Sequence, residues 1–156
     1  MRLLLVLLLF VFSPKVGLSQ NTKNFNIECA SLSNQGAVSI IISKNRARAN
    51  YSPSRAIKDA ITAVLMIGLP GSSTCITQAP LLKTVTEQDE FNTLSKDFFS
   101  SKGDWSRFGL VVERRDNVSP EGQVEKKREY VISVKKDDLR KYLVENKILQ
   151  PLTKGF

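Results

Sequence analysis

The sequence predicts an α+β fold: one domain, an antiparallel sheet of about four strands, and two or three helices packed on one face. Three observations lead there. The hydrophobic patterning runs strand, strand, helix, loop, helix, strand, strand, helix. Consecutive strand patterns are joined by turn residues instead of helices, which favours antiparallel pairing. The chain of 156 residues is 42% hydrophobic and 24% charged, enough apolar content for one core and unlike a disordered composition.

Residues 1–19 read as an export signal. Arg2 is followed by ten apolar residues, Leu3 to Phe12. Ten helical residues span about 15 Å, half of a bilayer core of about 30 Å. Ser13-Pro14-Lys15 ends the run, and Gly17 and Ser19 are small residues at the positions a signal peptidase reads. Cleavage after Ser19 leaves Gln20 to Phe156 as a single α+β domain of 137 residues. Arg2 and Lys15 leave with the signal, so the formal charge falls from +8 to +6. No cysteine near the cut suggests a lipid anchor, and no second apolar stretch reaches membrane length.

Asn24 to Ser31 alternates, with Phe25, Ile27 and Cys29 on one side, as in a half-buried strand. Asn34-Gln35-Gly36 makes a turn. Ala37 to Ser43 is β-branched and short, a second strand suited to burial on both faces. Ser52-Pro53 opens a helix, with a hydroxyl at the N-cap and proline at the first position. Ile57, Ala60, Ile61, Val64 and Leu65 form its apolar face, Ala56, Ala60 and Ala63 permit close approach to a sheet, and Gly68 caps its end.

Leu69 to Val85 has no periodicity and is read as a long loop. Loops of that length usually serve a purpose, so Leu69, Pro70, Gly71, Ile76, Leu81 and Leu82 are candidate contact residues. Thr86 is expected to cap a second helix carrying Phe91, Leu94 and Phe98, with Gly103 closing it. Trp105 to Arg115 and Gln123 to Val134 are expected to form a hairpin. With its turn centred between Ser119 and Pro120, Glu113 would face Lys126 and Arg114 would face Glu125. A short helix from Asp137 to Glu145 places Leu139 and Leu143 inward, with Asn146 as a left-handed stop before Ile148-Leu149.

Cys29 and Cys75 are the only cysteines, 46 positions apart. An even count in an oxidising compartment reads as a disulfide, worth up to about 4 kcal/mol by loop closure. Two buried free thiols and a reactive thiol are the alternatives; a reactive thiol would lack a base.

The absence of histidine excludes Ser-His and Cys-His catalysis and the commonest zinc sites. Gly68 to Ser73 lacks the lysine of a phosphate loop and follows a helix instead of preceding one. Asp89, Glu90 and Asp97 read as a solvated helix face, two of them in a first turn where the helix dipole favours acids. No segment has calcium-hand spacing, and no cofactor or metal is expected. Asn117-Val118-Ser119 matches a glycosylation triplet and marks an exposed turn. Lys44, Arg46 and Arg48, with Arg55 and Lys58, form a basic group free of acids between Lys44 and Arg48. It is a candidate site for an anionic envelope polymer or lipid headgroup. Nucleic acid is not an expected partner, since only Tyr51 adds an aromatic ring and the chain is exported.

Two segments carry a resemblance. One is Val38-Ser-Ile-Ile-Ile-Ser43, a polar connection, and Ala56-Ile-Lys-Asp-Ala60 on a helix ending at Gly68. The other runs from Val131 through Leu139 and Leu143 to Ile148-Leu149 and Gly155-Phe156. With the cysteine placement, they resemble a group of small exported proteins of Gram-negative bacteria. The strand, Ala-rich helix and final strand-plus-Leu pattern is also similar to the N-terminal module of the flagellar T-ring protein and related small outer-membrane lipoproteins. Both resemblances imply a periplasmic or surface assembly module without enzymatic activity, working through an envelope protein partner.

Overall fold

The computed structural model describes residues 25–32, 36–44, 51–73, 75–116 and 128–152. Its strands are β1 (Asn26–Leu32), β2 (Val38–Ser43), β3 (Gly109–Asp116) and β4 (Arg128–Val134). Its helices are α1 (Pro53–Thr62), α2 (Val85–Phe98) and α3 (Lys136–Glu145). A π-helical turn, Ala63–Ile67, extends α1, and a 3₁₀ turn, Asp104–Arg107, precedes β3. The strands form one antiparallel sheet in the order β1-β2-β4-β3. This is the expected α+β class.

One buried cluster joins Val38, Ile40, Ile42, Ile132 and Val134 of the central strands to Ala60 and Ile61 of α1, Phe91 of α2 and Leu139 of α3. Ile41 and Val131, opposite each other in the register, lie outside it. All three helices therefore cover the same face. This corrects the reading of β2 as buried on both faces: Ser39 and Ile41 are only partly covered.

Ser52 accepts the Arg55 amide at 3.3 Å, and Pro53 opens α1. Ala56, Ala60 and Ala63 are fully buried, so the helix comes close to the sheet. Gly109 meets it there: a Cβ on Gly109 would lie 2.4 Å from Ile57 Cγ2. The last turn widens, and the Gly68 amide donates to the Ala63 carbonyl at 2.8 Å. Gly68 takes φ +83°, the left-handed region that ends the helix as expected. The widened turn frees the Val64 and Leu65 carbonyls, which accept from the Leu81 and Leu82 amides at 3.0 and 2.9 Å.

The cap of α2 is Thr84, not Thr86. Thr84 accepts the Glu87 amide at 3.2 Å, and Glu87 Oε2 accepts the Thr84 amide at 2.8 Å, completing a capping box. These amide bonds hold the Glu87 carboxyl below the ordinary carboxylate range. Thr84→Ala should cost about 1 kcal/mol in denaturant unfolding, while Thr86→Ala should stay within about 0.5 kcal/mol. Because the folded-state pKa of Glu87 is depressed, its contribution is present above the unfolded-state value and disappears as pH falls through the folded one. The stability gap between wild type and Glu87→Gln should therefore close on acidification below the ordinary carboxylate range.

Trp105 belongs to the 3₁₀ turn, so β3 begins later than expected, at Gly109. The hairpin register also differs. Glu113 faces Val131 and Arg114 faces Tyr130, not Lys126 and Glu125. The offset is five residues, of which the bulge between Val111 and Glu113 supplies one, and Tyr130, Ile132 and Val134 take the buried face. Opposite charges still meet: Arg115 pairs with Glu113 at 3.0 Å and with Glu129 across the ladder at 3.7 Å. The glycosylation triplet and Lys126 lie outside the described residues.

Asn146 keeps φ −85°, and Lys147 at φ +62° is the left-handed residue after α3. The Ile148 amide reaches the Leu143 carbonyl and the Lys147 amide reaches Val144, each at 2.9 Å, a Schellman closure. Non-glycine residues are strained there, so Lys147→Gly should stabilise the fold by about 1 kcal/mol in chemical denaturation. Ile148 and Leu149 pack into the core as expected.

Candidate functional site

The segment from Leu69 to Leu82 is anchored at several points. Cys29 of β1 is bonded to Cys75, with Cα atoms 6.0 Å apart. Ser72 Oγ donates to the Cys29 carbonyl at 3.3 Å. Leu69 and Gln78 exchange backbone hydrogen bonds at 2.8 and 3.0 Å. Lys136 Nζ donates to Gln78 Oε1 from the start of α3, and burial pushes the lysine's pKa down.

This anchoring divides the six candidate contact residues. Leu69, Leu81 and Leu82 are core side chains, the last fully buried. They are therefore corrected from contact residues to packing residues. Pro70, Gly71 and Ile76 remain at the surface. Ile76 is 73% exposed, and nearby in sequence Ile67 is 51% exposed at the end of the π turn. A groove of about 780 Å³ runs between β1 and this segment, lined by Phe25, Ile27, Glu28, Ile67, Pro70 and Pro80 among others. Ile67 had a sequence signal: it falls outside the apolar stripe of the preceding helix, yet is large and apolar.

The basic group does not assemble as a unit among the described residues. Lys44 lies 5.8 Å from the Tyr51 ring centroid, and Arg55 is exposed on the first turn of α1. Lys58 turns toward α2, donates to the Phe99 carbonyl and sits 4.7 Å from the Trp105 ring centroid. Its charge thus meets the carbonyl end of a helix and an aromatic face, both favourable for a cation. Arg46 and Arg48 lie outside the described residues. Beneath this region, buried Tyr51 donates to Asp59 Oδ2 at 3.1 Å, and Tyr130 donates to the Tyr51 carbonyl at 3.0 Å. Burial first, and the Asp59 charge second, push the Tyr51 pKa far up, so it stays a neutral structural donor.

Asp89, Glu90 and Asp97 are exposed on α2, as a solvated face requires. With Lys147 and Ile148 they border an open groove of about 650 Å³. Among the described residues, no helix is long and apolar enough to cross a membrane. Comparison of the chain with protein-family models, curated proteins and solved structures finds no match.

Proposed function

We propose that this protein is an exported, non-enzymatic module that works by protein–protein contact in an assembly of the cell envelope. The observation that carries the reading is the stapled segment beside β1. Its inner side chains belong to the core, Pro70 and Ile76 stay in solvent, and Pro70 lines the groove together with exposed Ile67. Exposed apolar side chains on an anchored segment beside a groove support a contact role. The disulfide supports export, and the resemblance to small exported Gram-negative proteins points the same way.

The rival reading, binding of an anionic polymer or lipid headgroup through Lys44, Arg46, Arg48, Arg55 and Lys58, is less well supported. Lys58 is already engaged with Phe99 and Trp105. Capture of partners from envelope fractions separates the two. Ile76→Asp should abolish capture, whereas Arg46→Glu/Arg48→Glu should leave it intact at low and high salt. Steep loss with salt, together with loss in the arginine double variant, would reverse the conclusion.

A further inference from the structure

The groove beside β1 has one wall that selects its occupant. β1 pairs with β2 alone in the sheet, so its outer edge turns toward the groove. At its bulged end the Cys29 carbonyl accepts from Ser72. Alternate residues of a strand direct their backbone groups to the same edge. Between Asn26 and Glu28, which lie opposite Ser43 to Ile41 of β2, at least one residue therefore turns its N–H and C=O to the groove.

From this geometry we infer that the groove takes an extended peptide segment of a protein partner, added to the sheet as a strand beside β1. The inference rests on the contact reading above and specifies its mode. A strand laid against β1 alternates its side chains between two sides. On the side of Phe25 and Ile27 it meets Ile67, Pro70 and Pro80, an apolar surface. On the other side it meets Glu28, the one charged side chain lining the groove among the described residues. The complementary segment has apolar residues at alternate positions and a Lys or Arg between them, opposite Glu28. A lipid chain or small apolar ligand would leave the edge amide unpaired, which favours a polypeptide.

The test selects a phage-displayed library of random nonapeptides against the disulfide-bonded protein. Enriched sequences should alternate apolar residues with an intervening Lys or Arg. A synthetic peptide of the enriched sequence should slow hydrogen exchange at the edge-facing amide of the Ile27–Glu28 pair. Its affinity should fall about tenfold for Glu28→Lys at low salt, and N-methylation of its alternate amides should abolish binding. No enrichment, or enriched sequences indifferent to Glu28→Lys, would overturn the proposal. So would a dimer in light scattering whose edge-facing β1 amide is already protected, since a second copy would then occupy the edge. If capture from the envelope is lost in Ile76→Asp but unchanged in Glu28→Lys, protein contact stands and strand addition falls.

Discussion

Replacing both Cys29 and Cys75 by serine should lower the melting temperature of the exported protein by roughly 10–20 °C. The bond closes a separation of 46 residues, for which chain entropy alone supplies about 4 kcal/mol. For a domain of this size each kcal/mol moves the midpoint by about 3–5 °C. Both cysteines are buried, at 4% and 6% exposure, so serine also leaves two hydroxyls among apolar neighbours. The functional consequence is separate. The bond fixes the contact segment to β1, so the double variant should lose partner capture even at temperatures where circular dichroism shows a folded sheet. A midpoint shift below about 3 °C would mean that the oxidised and reduced chains differ little in loop freedom.

Leu82→Ala should destabilise the domain by about 2–5 kcal/mol, whereas Ile76→Ala should change stability by less than about 0.5 kcal/mol. The two residues are six positions apart in a segment without periodicity, yet one is fully buried and the other 73% exposed. Leu82 fills space beneath the π turn, and its amide holds the Leu65 carbonyl, so truncation leaves a cavity. Ile76 touches mainly solvent, so its removal should affect contact, not folding. Denaturant titration of both variants, scored beside partner capture, checks the division. Equal destabilisation would place Ile76 in the core and remove it from the surface argument.

The parts of this structure that were legible in the sequence are those written locally. Ser52-Pro53 and Gly68 mark the ends of the first helix because caps and left-handed stops depend on adjacent residues. The Thr84 cap was also written there, in the spacing Thr84-Val-Thr-Glu87, but Thr86 with Asp89 offered a competing match. Features that depend on distant partners were not legible. Leu81 and Leu82 are buried because a widened helical turn frees carbonyls for them, and nothing near them announces it. Lys58 finds its acceptor 41 positions away, so its sequence neighbours suggested a basic cluster instead. The β3–β4 register lies five residues from the one a turn at Ser119-Pro120 gives, and the bulge supplies only one of them; a pattern of alternating residues fixes the face, not the register. The surface shows the same split: the exposure of Pro70, Gly71 and Ile76 is legible from composition and that of Ile67 from its place outside the helix stripe, while the β1 edge emerges only when the chain is folded.

The proposed contact surface carries Ile67, at the groove beside β1, and Ile76, exposed on the anchored segment. Site-specific photo-crosslinking in intact cells tests it most directly. A photoreactive residue is placed in turn at Ile67, at Ile76 and at Val85, which is equally exposed at 73% but lies at the start of α2. One adduct of the same mass is expected from Ile67 and Ile76 and none from Val85. Adducts from Val85 alone, or none from either isoleucine, would contradict it.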